Sequence, residues 1–153
     1  MTFPVAVRRS PNHGPRGKAR IRYIVLHADA SPKEEATLSW ICSEASKVSY
    51  HVLVHRDGSL TRCVTDDRSA WACGESEWQG LRFLNRISLS LAFANLNNNA
   101  EYLTARQVEA AKRVIVEWQG KYSIEAILTH AMIAPGRKSD PDRIPNFHLE
   151  TFR

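Results

Sequence analysis

Three side chains that lie far apart in the chain are of the types that bind a divalent cation: His27, His130 and Asp140. His27 closes the apolar run I-R-Y-I-V-L-H (21–27), His130 closes I-E-A-I-L-T-H (124–130), and Asp140 follows ten residues later. Two imidazoles and a carboxylate make a common catalytic zinc set, in which the fourth position is left to water. Spacing alone leaves open that both histidines are packed or hydrogen-bonded residues at strand ends. Between the second histidine and the aspartate runs A-P-G-R-K-S-D-P (134–141), with two prolines, a glycine and three charged side chains. Pro and Gly punctuate turns, and a loop of this composition also reads as a wet connection with no further role.

The elements that would have to position these groups are legible in outline. Residues 21–27 are rich in β-branched and aromatic types and predict a buried strand. S-P-K-E (31–34) offers Ser as N-cap and Pro at the first helical position, and Leu38, Ile41, Cys42 and Ala45 follow at helical spacing, which predicts a helix over 32–46. Y-H-V-L-V-H (50–55), R-D-G (56–58) and S-L-T-R-C-V (59–64) predict a hairpin. In I-S-L-S-L-A-F-A (87–94) bulky residues alternate with Ser and Ala, as in a strand with one bulky and one small face. Thr104 and Gln107 form a capping box for a long helix with Val108, Ala111, Ile115 and Trp118 on its inner stripe and Gly120 at its end. A short strand over 124–130 completes the set. Strands interleaved with helices predict a single α/β domain, a mixed central sheet flanked by helices.

Bulk properties bound the function. A chain of 153 residues with 43% hydrophobic and 24% charged residues suits one self-sufficient soluble domain, and its apolar runs are too short to span a bilayer. The arginines follow rather than precede the first apolar stretch, the wrong order for a secretory signal. Cys42, Cys63 and Cys73 are an odd number without C-x-x-C spacing, which suits buried free thiols. The net charge of +5 is concentrated at the N-terminus: residues 1–22 carry six basic and no acidic side chains, leaving 15 basic against 16 acidic beyond them. With Pro4, Pro11, Pro15, Gly14 and Gly17, residues 1–20 are expected to form an extended arm, either a solvated tail or a contact to anionic envelope polymers or a membrane surface. No recognition helix or RNP-like motif accompanies it, so a specific nucleic-acid partner is not expected.

The motifs V-L-H (25–27), S-Y-H-V-L-V-H-R-D-G (49–58), A-W-A-C-G (70–74), N-R-I-S-L-S-L (85–91) and H-A-M-I-A-P-G-R-K-S-D-P (130–141) occur in the same order as those of a known family. The chain resembles, over about residues 21–147, the zinc-dependent N-acetylmuramoyl-L-alanine amidases of the amidase-2 group, which are similar to the peptidoglycan recognition proteins. The resemblance implies that fold, one Zn2+ per chain, and His27, His130 and Asp140 as its ligands. It further implies Lys138 and Tyr50 as catalytic groups, with Trp71, Asn85 and Arg137 contacting substrate. On this reading Lys138, two residues before Asp140, shares its face of an extended loop, and Asp29 is a candidate partner for a ligand imidazole.

The implied activity is hydrolysis of the amide between N-acetylmuramic acid and L-alanine in bacterial peptidoglycan. Two departures from the family pattern stand out. Ala92 occupies the position where some members carry a catalytic Glu, and Ala72 that of a frequent histidine. The first favours the phage-type branch with its tyrosine. The expected setting is therefore a monomeric phage or prophage endolysin, made in the cytoplasm without a signal peptide and acting on the wall of a lysing host. The alternatives are a cytosolic amidase that recycles muropeptides and a non-catalytic peptidoglycan-binding module.

Overall fold

The computed structural model describes residues 3–153; Met1 and Thr2, the first two residues of the expected arm, lie outside the described residues. In chain order the elements are β1 (Val5–Val7), β2 (His13–Pro15), β3 (Tyr23–Ala28), α1 (Glu34–Ile41), β4 (Val52–Val54), β5 (Leu60–Arg62), β6 (Arg68–Ala70), β7 (Glu77–Trp78), β8 (Leu81–Arg82), β9 (Ser88–Phe93), α2 (Ala105–Lys121), β10 (Ala126–Thr129) and α3 (His130–Ile133). Six strands form the central sheet in the order β1-β5-β4-β9-β3-β10. Only the β4–β5 hairpin is antiparallel, so the sheet is mixed, as the interleaved pattern predicts.

Strands β3 and β9 are buried at every position, because helices and loops cover both sheet faces. Ile24, Leu26, Leu89, Leu91 and Phe93 face α2, whose Ala111, Val114, Ile115 and Trp118 fill that layer. On the other face Tyr23 and Val25 pack with Leu84, Leu128 and Ile133, and Ala92 packs with Leu38 and Ile41 of α1. The small face of β9 predicted from Ser88, Ser90 and Ala92 is thus what lets α1 and the loops approach the sheet. The α2 capping box forms as predicted, with Gln107 N–H donating to Thr104 Oγ1 at 3.1 Å and the Gln107 side chain accepting from Thr104 N–H. The hairpin turn places Gly58 at φ +85°, a conformation that side chains with a Cβ rarely adopt.

Four expectations are corrected. Helix α1 starts at Glu34, with Lys33 as N-cap, because the Ser31 hydroxyl closes a local turn on Lys33 and Glu34 Oε1 accepts from Arg56 N–H instead of completing a capping box. It also stops at Ile41, where the Asn12 side chain takes the Ile41 and Ser43 carbonyls, and a separate 3-10 turn covers Glu44–Ser46. Gly120 does not end α2: the helix runs to Lys121 and closes on Tyr122, whose N–H reaches the Trp118 carbonyl at 2.9 Å. His130 does not close β10 but opens α3, because the Thr129 hydroxyl caps the next turn by accepting from Met132 N–H.

The N-terminal segment is extended, yet it does not stand away from the body. Strand β1 pairs in parallel with β5 at the sheet edge, and β2 pairs antiparallel with β6. Ser10, Asn12 and Arg16 are buried. Arg16 spends its guanidinium on backbone carbonyls, so it is not free for a polyanion. All three cysteines are free thiols, with Cys63 and Cys73 buried and Cys42 half-buried. Among the described residues no helix is long and apolar enough to cross a membrane.

Candidate metal centre

Strands β3 and β10 are parallel neighbours with Leu26 opposite Thr129. One step further along both strands, that register brings His27 and His130 to the same carboxyl edge of the sheet, where open α/β sheets generally bind ligands. Their Nδ1 atoms lie 3.1 Å apart. The loop after α3 returns Asp140 to the same point: its carboxylate is 3.3 Å from His130 Nδ1 and 3.8 Å from His27 Nδ1. Ala28 N–H donates to Asp140 Oδ2 at 3.1 Å, tying the carboxylate to the end of β3. The three candidate ligand atoms lie within 4.8 Å of one another, and they form the one such group found among the described residues.

A hydrogen bond orients one of the two rings. His130 Nε2 faces the Cys73 carbonyl at 3.0 Å. A carbonyl can only accept, so Nε2 carries a proton and Nδ1 is the nitrogen turned toward His27 and Asp140. His27 is fully buried and its Nε2 has no partner. Burial, and then the neighbouring His130, push the His27 imidazole down to about 3, so it stays neutral at physiological pH. Burial pushes the Asp140 carboxyl up, but its hydrogen bond to His130 and the two histidines outweigh this and hold it at about 2. A neutral His27 imidazole, the inward-turned Nδ1 of His130 and a carboxylate therefore converge on one point.

These separations suit zinc. Tetrahedral bonds of about 2.0–2.1 Å put neighbouring ligand atoms roughly 3.3 Å apart, and the observed spacings are 3.1, 3.3 and 3.8 Å. The donor set of two nitrogens and one oxygen is also a zinc set.

The triad lies at the floor of a cleft of about 520 Å³ lined by Tyr50, Trp71, Asn85, Arg137, Lys138 and Asp140, among others. The structure thus brings all eight sequence-singled residues to one place, His27 just beneath the cleft surface. Tyr50 is half-buried with its ring 5.3 Å from that of His27. Burial, then Asp140, Asp29 and Cys73, push its phenol above the ordinary range, so the hydroxyl keeps its proton. Lys138 is exposed and, among the described residues, its ammonium has no hydrogen-bond or ion-pair partner. It does not share an extended face with Asp140. The loop is a run of turns, with Lys138 N–H bonded to the Ala134 carbonyl at 2.9 Å and Gly136 at φ +79°.

One other expectation changes. Asp29 partners neither imidazole: Oδ1 accepts from Ser31 and Asn95 N–H, and Oδ2 from the Thr37 hydroxyl. Asn85 Oδ1 and Arg137 Nη2 are committed to backbone, Asn85 accepting from Ala72 and Cys73 N–H and Arg137 donating to the Cys73 and Glu75 carbonyls. The group that sequence reasoning missed is the Cys73 carbonyl, which a pattern of side chains cannot reveal because the backbone acts there. Ala92, in register with His27, is fully buried against Leu53 and leaves no carboxylate at that position.

A family model for N-acetylmuramoyl-L-alanine amidase matches residues 17–143. The chain belongs to the N-acetylmuramoyl-L-alanine amidase family. Among curated members it is 32% identical, over 109 residues, to the 1,6-anhydro-N-acetylmuramyl-L-alanine amidase AmpD of Escherichia coli K12; the match covers 70% of this chain and 57% of that protein. A crystal structure of a selenomethionine AmpD derivative superposes with a TM-score of 0.79 at 24% identity, covering 99% of this chain and 94% of the other, which shows the fold. The amidase AmiD of E. coli, in complex with the substrate anhydro-N-acetylmuramic acid-L-Ala-D-gamma-Glu-L-Lys, gives a TM-score of 0.71 at 25% identity over 88% of this chain and 56% of the other. These amidases overturn the expected setting on the wall of a lysing host, since the curated relatives are named for an anhydromuramyl substrate and none for lysis.

Proposed function

We propose that the chain is a zinc-dependent amidase that hydrolyses the bond between the lactyl group of 1,6-anhydro-N-acetylmuramic acid and L-alanine in soluble muropeptides. The observation that carries it is the convergence of His27 Nδ1, His130 Nδ1 and Asp140 at tetrahedral ligand spacing on the cleft floor. The substrate class is supported by what the AmpD relatives and the AmiD complex are named for.

In this reading His27, His130 and Asp140 hold the ion, and the Cys73 carbonyl keeps the His130 ring turned toward it. Zinc, when bound, supplies Lewis acidity and a hydroxide nucleophile near neutral pH. Lys138, at the cleft wall and without a partner among the described residues, donates to the oxyanion that develops on the attacked carbonyl. Tyr50, its phenol kept protonated, serves as a hydrogen-bond donor that orients the reacting groups, and not as a base. Trp71 forms a wall against which substrate packs, while Asn85 and Arg137 shape the turn beside it.

Mass spectrometry of products tests this. Zinc-loaded protein should release free stem peptide from anhydromuropeptides, lose that activity on chelation and regain it with added Zn2+. No release, release indifferent to zinc, or release confined to intact sacculi would contradict the assignment.

A further inference from the structure

Residues 10–16 precede the stretch that the family model matches, yet they tie the two walls of the cleft together. On one side Asn12, 1% exposed, places its Nδ2 at 2.8 Å from the Ser43 carbonyl and 3.0 Å from that of Val48. Lys47 and Val48 line the cleft on that side. On the other side Arg16, 7% exposed, donates from Nε to the Asp66 carbonyl, from Nη1 to that of Arg86 and from Nη2 to that of Ser88, each at 2.9 Å.

A buried guanidinium is a costly way to join a strand to a sheet, and a well-packed apolar side chain often does so at less cost. Among the described residues no carboxylate lies within ion-pair distance of Arg16; Asp66 and Asp67 offset part of that cost from farther away, and burial still outweighs them. What the planar fork supplies is geometry: three acceptors held in fixed relation to one plane. Arg86 lies in the 3-10 turn Leu84–Ile87 and Ser88 follows it directly, and that turn carries Asn85. Asn85 Oδ1 in turn accepts from Cys73 N–H at 2.8 Å, and the carbonyl of Cys73 orients His130 Nε2 at 3.0 Å.

We infer that Arg16 is a positioning residue for the metal centre: its guanidinium sets the 85–88 backbone, and through Asn85 and the Cys73 peptide it sets the angle of the His130 ring. This rests on the metal-centre reading above. Partners that orient a ligand histidine typically change metal affinity by about 10- to 100-fold. Arg16 acts two links further out than the Cys73 carbonyl, through the 85–88 backbone and Asn85, so the low end of that range is the most to expect.

The test uses the full chain in four forms: unaltered, Arg16→Met, Arg16→Lys, and Arg20→Gln, the last removing a surface arginine that pairs with Glu125. Zinc affinity is read by competition with a chromophoric chelator, and coordination geometry by the visible absorption of the Co2+-substituted protein. Folded Arg16→Met should bind zinc about tenfold more weakly and alter the Co2+ band, while Arg20→Gln matches the unaltered chain. Where circular dichroism finds Arg16→Met unfolded, the same two readings on Arg16→Lys decide, because an ammonium keeps the charge and loses the fork. Unaltered affinity and an unaltered Co2+ band in a folded Arg16 variant overturn this inference alone. An unaltered chain that binds neither ion overturns it together with the reading it rests on.

Discussion

His130 and Arg137 meet on a single acceptor, the Cys73 carbonyl, which lies 3.0 Å from His130 Nε2 and 2.7 Å from Arg137 Nη2. A candidate ligand and the loop that delivers Asp140 are thereby referenced to the same peptide. Arg137 Nη2 also reaches the Glu75 carbonyl at 2.6 Å, so one nitrogen staples the 73–75 turn to the 134–141 loop.

Arg137→Ala should therefore act through the site's geometry as well as through any substrate contact. A hydrogen bond from a charged donor contributes about 1.5–3 kcal/mol, and the exposed position argues for the low end, or about a tenfold loss in kcat/KM. Arg137→Lys should retain more activity, since both bonds leave from one nitrogen. Steady-state kinetics on the three proteins check this; equal losses in both variants would show that the staple is irrelevant.

Lys138 separates chemistry from metal binding. Its ammonium lines the cleft and holds no other partner among the described residues. Removing one oxyanion donor usually costs about 10²–10³ in kcat. Lys138→Ala is expected to lose rate on that scale with zinc affinity unchanged, whereas Asp140→Asn is expected to lose affinity. Full activity in Lys138→Ala would remove the lysine from the mechanism.

The buried His51 predicts how stability depends on pH. Its Nδ1 accepts from Ser90 N–H at 3.0 Å and its Nε2 faces the Arg68 carbonyl at 2.8 Å, which uses both nitrogens of the neutral ring. Burial pushes the imidazole down to about 3, helped by Arg16. In the unfolded chain a histidine titrates near 6.5. Below that pH the unfolded state takes up a proton that the folded state refuses, so stability falls as pH drops from about 6.5 toward 3, by up to about 1.4 kcal/mol per pH unit. Urea unfolding of metal-free protein between pH 4 and 7 should show this slope, and His51→Gln should be shallower by about one proton. Parallel curves for the two proteins would contradict it.

Much of this was written in the sequence, though not evenly. The hairpin and the capping box of α2 are legible because each is carried by side-chain type at fixed spacing, whereas the convergence of His27, His130 and Asp140 is implied by the family resemblance and not by their spacing. The start of α1 was misread because S-P-K-E satisfies the capping pattern locally, while Arg56 N–H, far along the chain, takes the Glu34 carboxylate. His130 read as the end of a strand because periodicity does not register that the Thr129 hydroxyl caps the next turn. The N-terminal segment reads as a basic arm because its composition conceals that the donors of Arg16 are taken up by backbone carbonyls. For α1 and the N-terminal segment a long-range partner outweighed a local preference, and for His130 a local cap outweighed the strand periodicity.

The proposed function requires one ion held by His27, His130 and Asp140. Diffraction data collected on both sides of the zinc absorption edge, from crystals grown with Zn2+, locate such an ion without reference to activity. The predicted result is a single anomalous peak about 2.0–2.2 Å from His27 Nδ1, His130 Nδ1 and an Asp140 carboxylate oxygen. A peak elsewhere, or none with the three side chains in place, would contradict it.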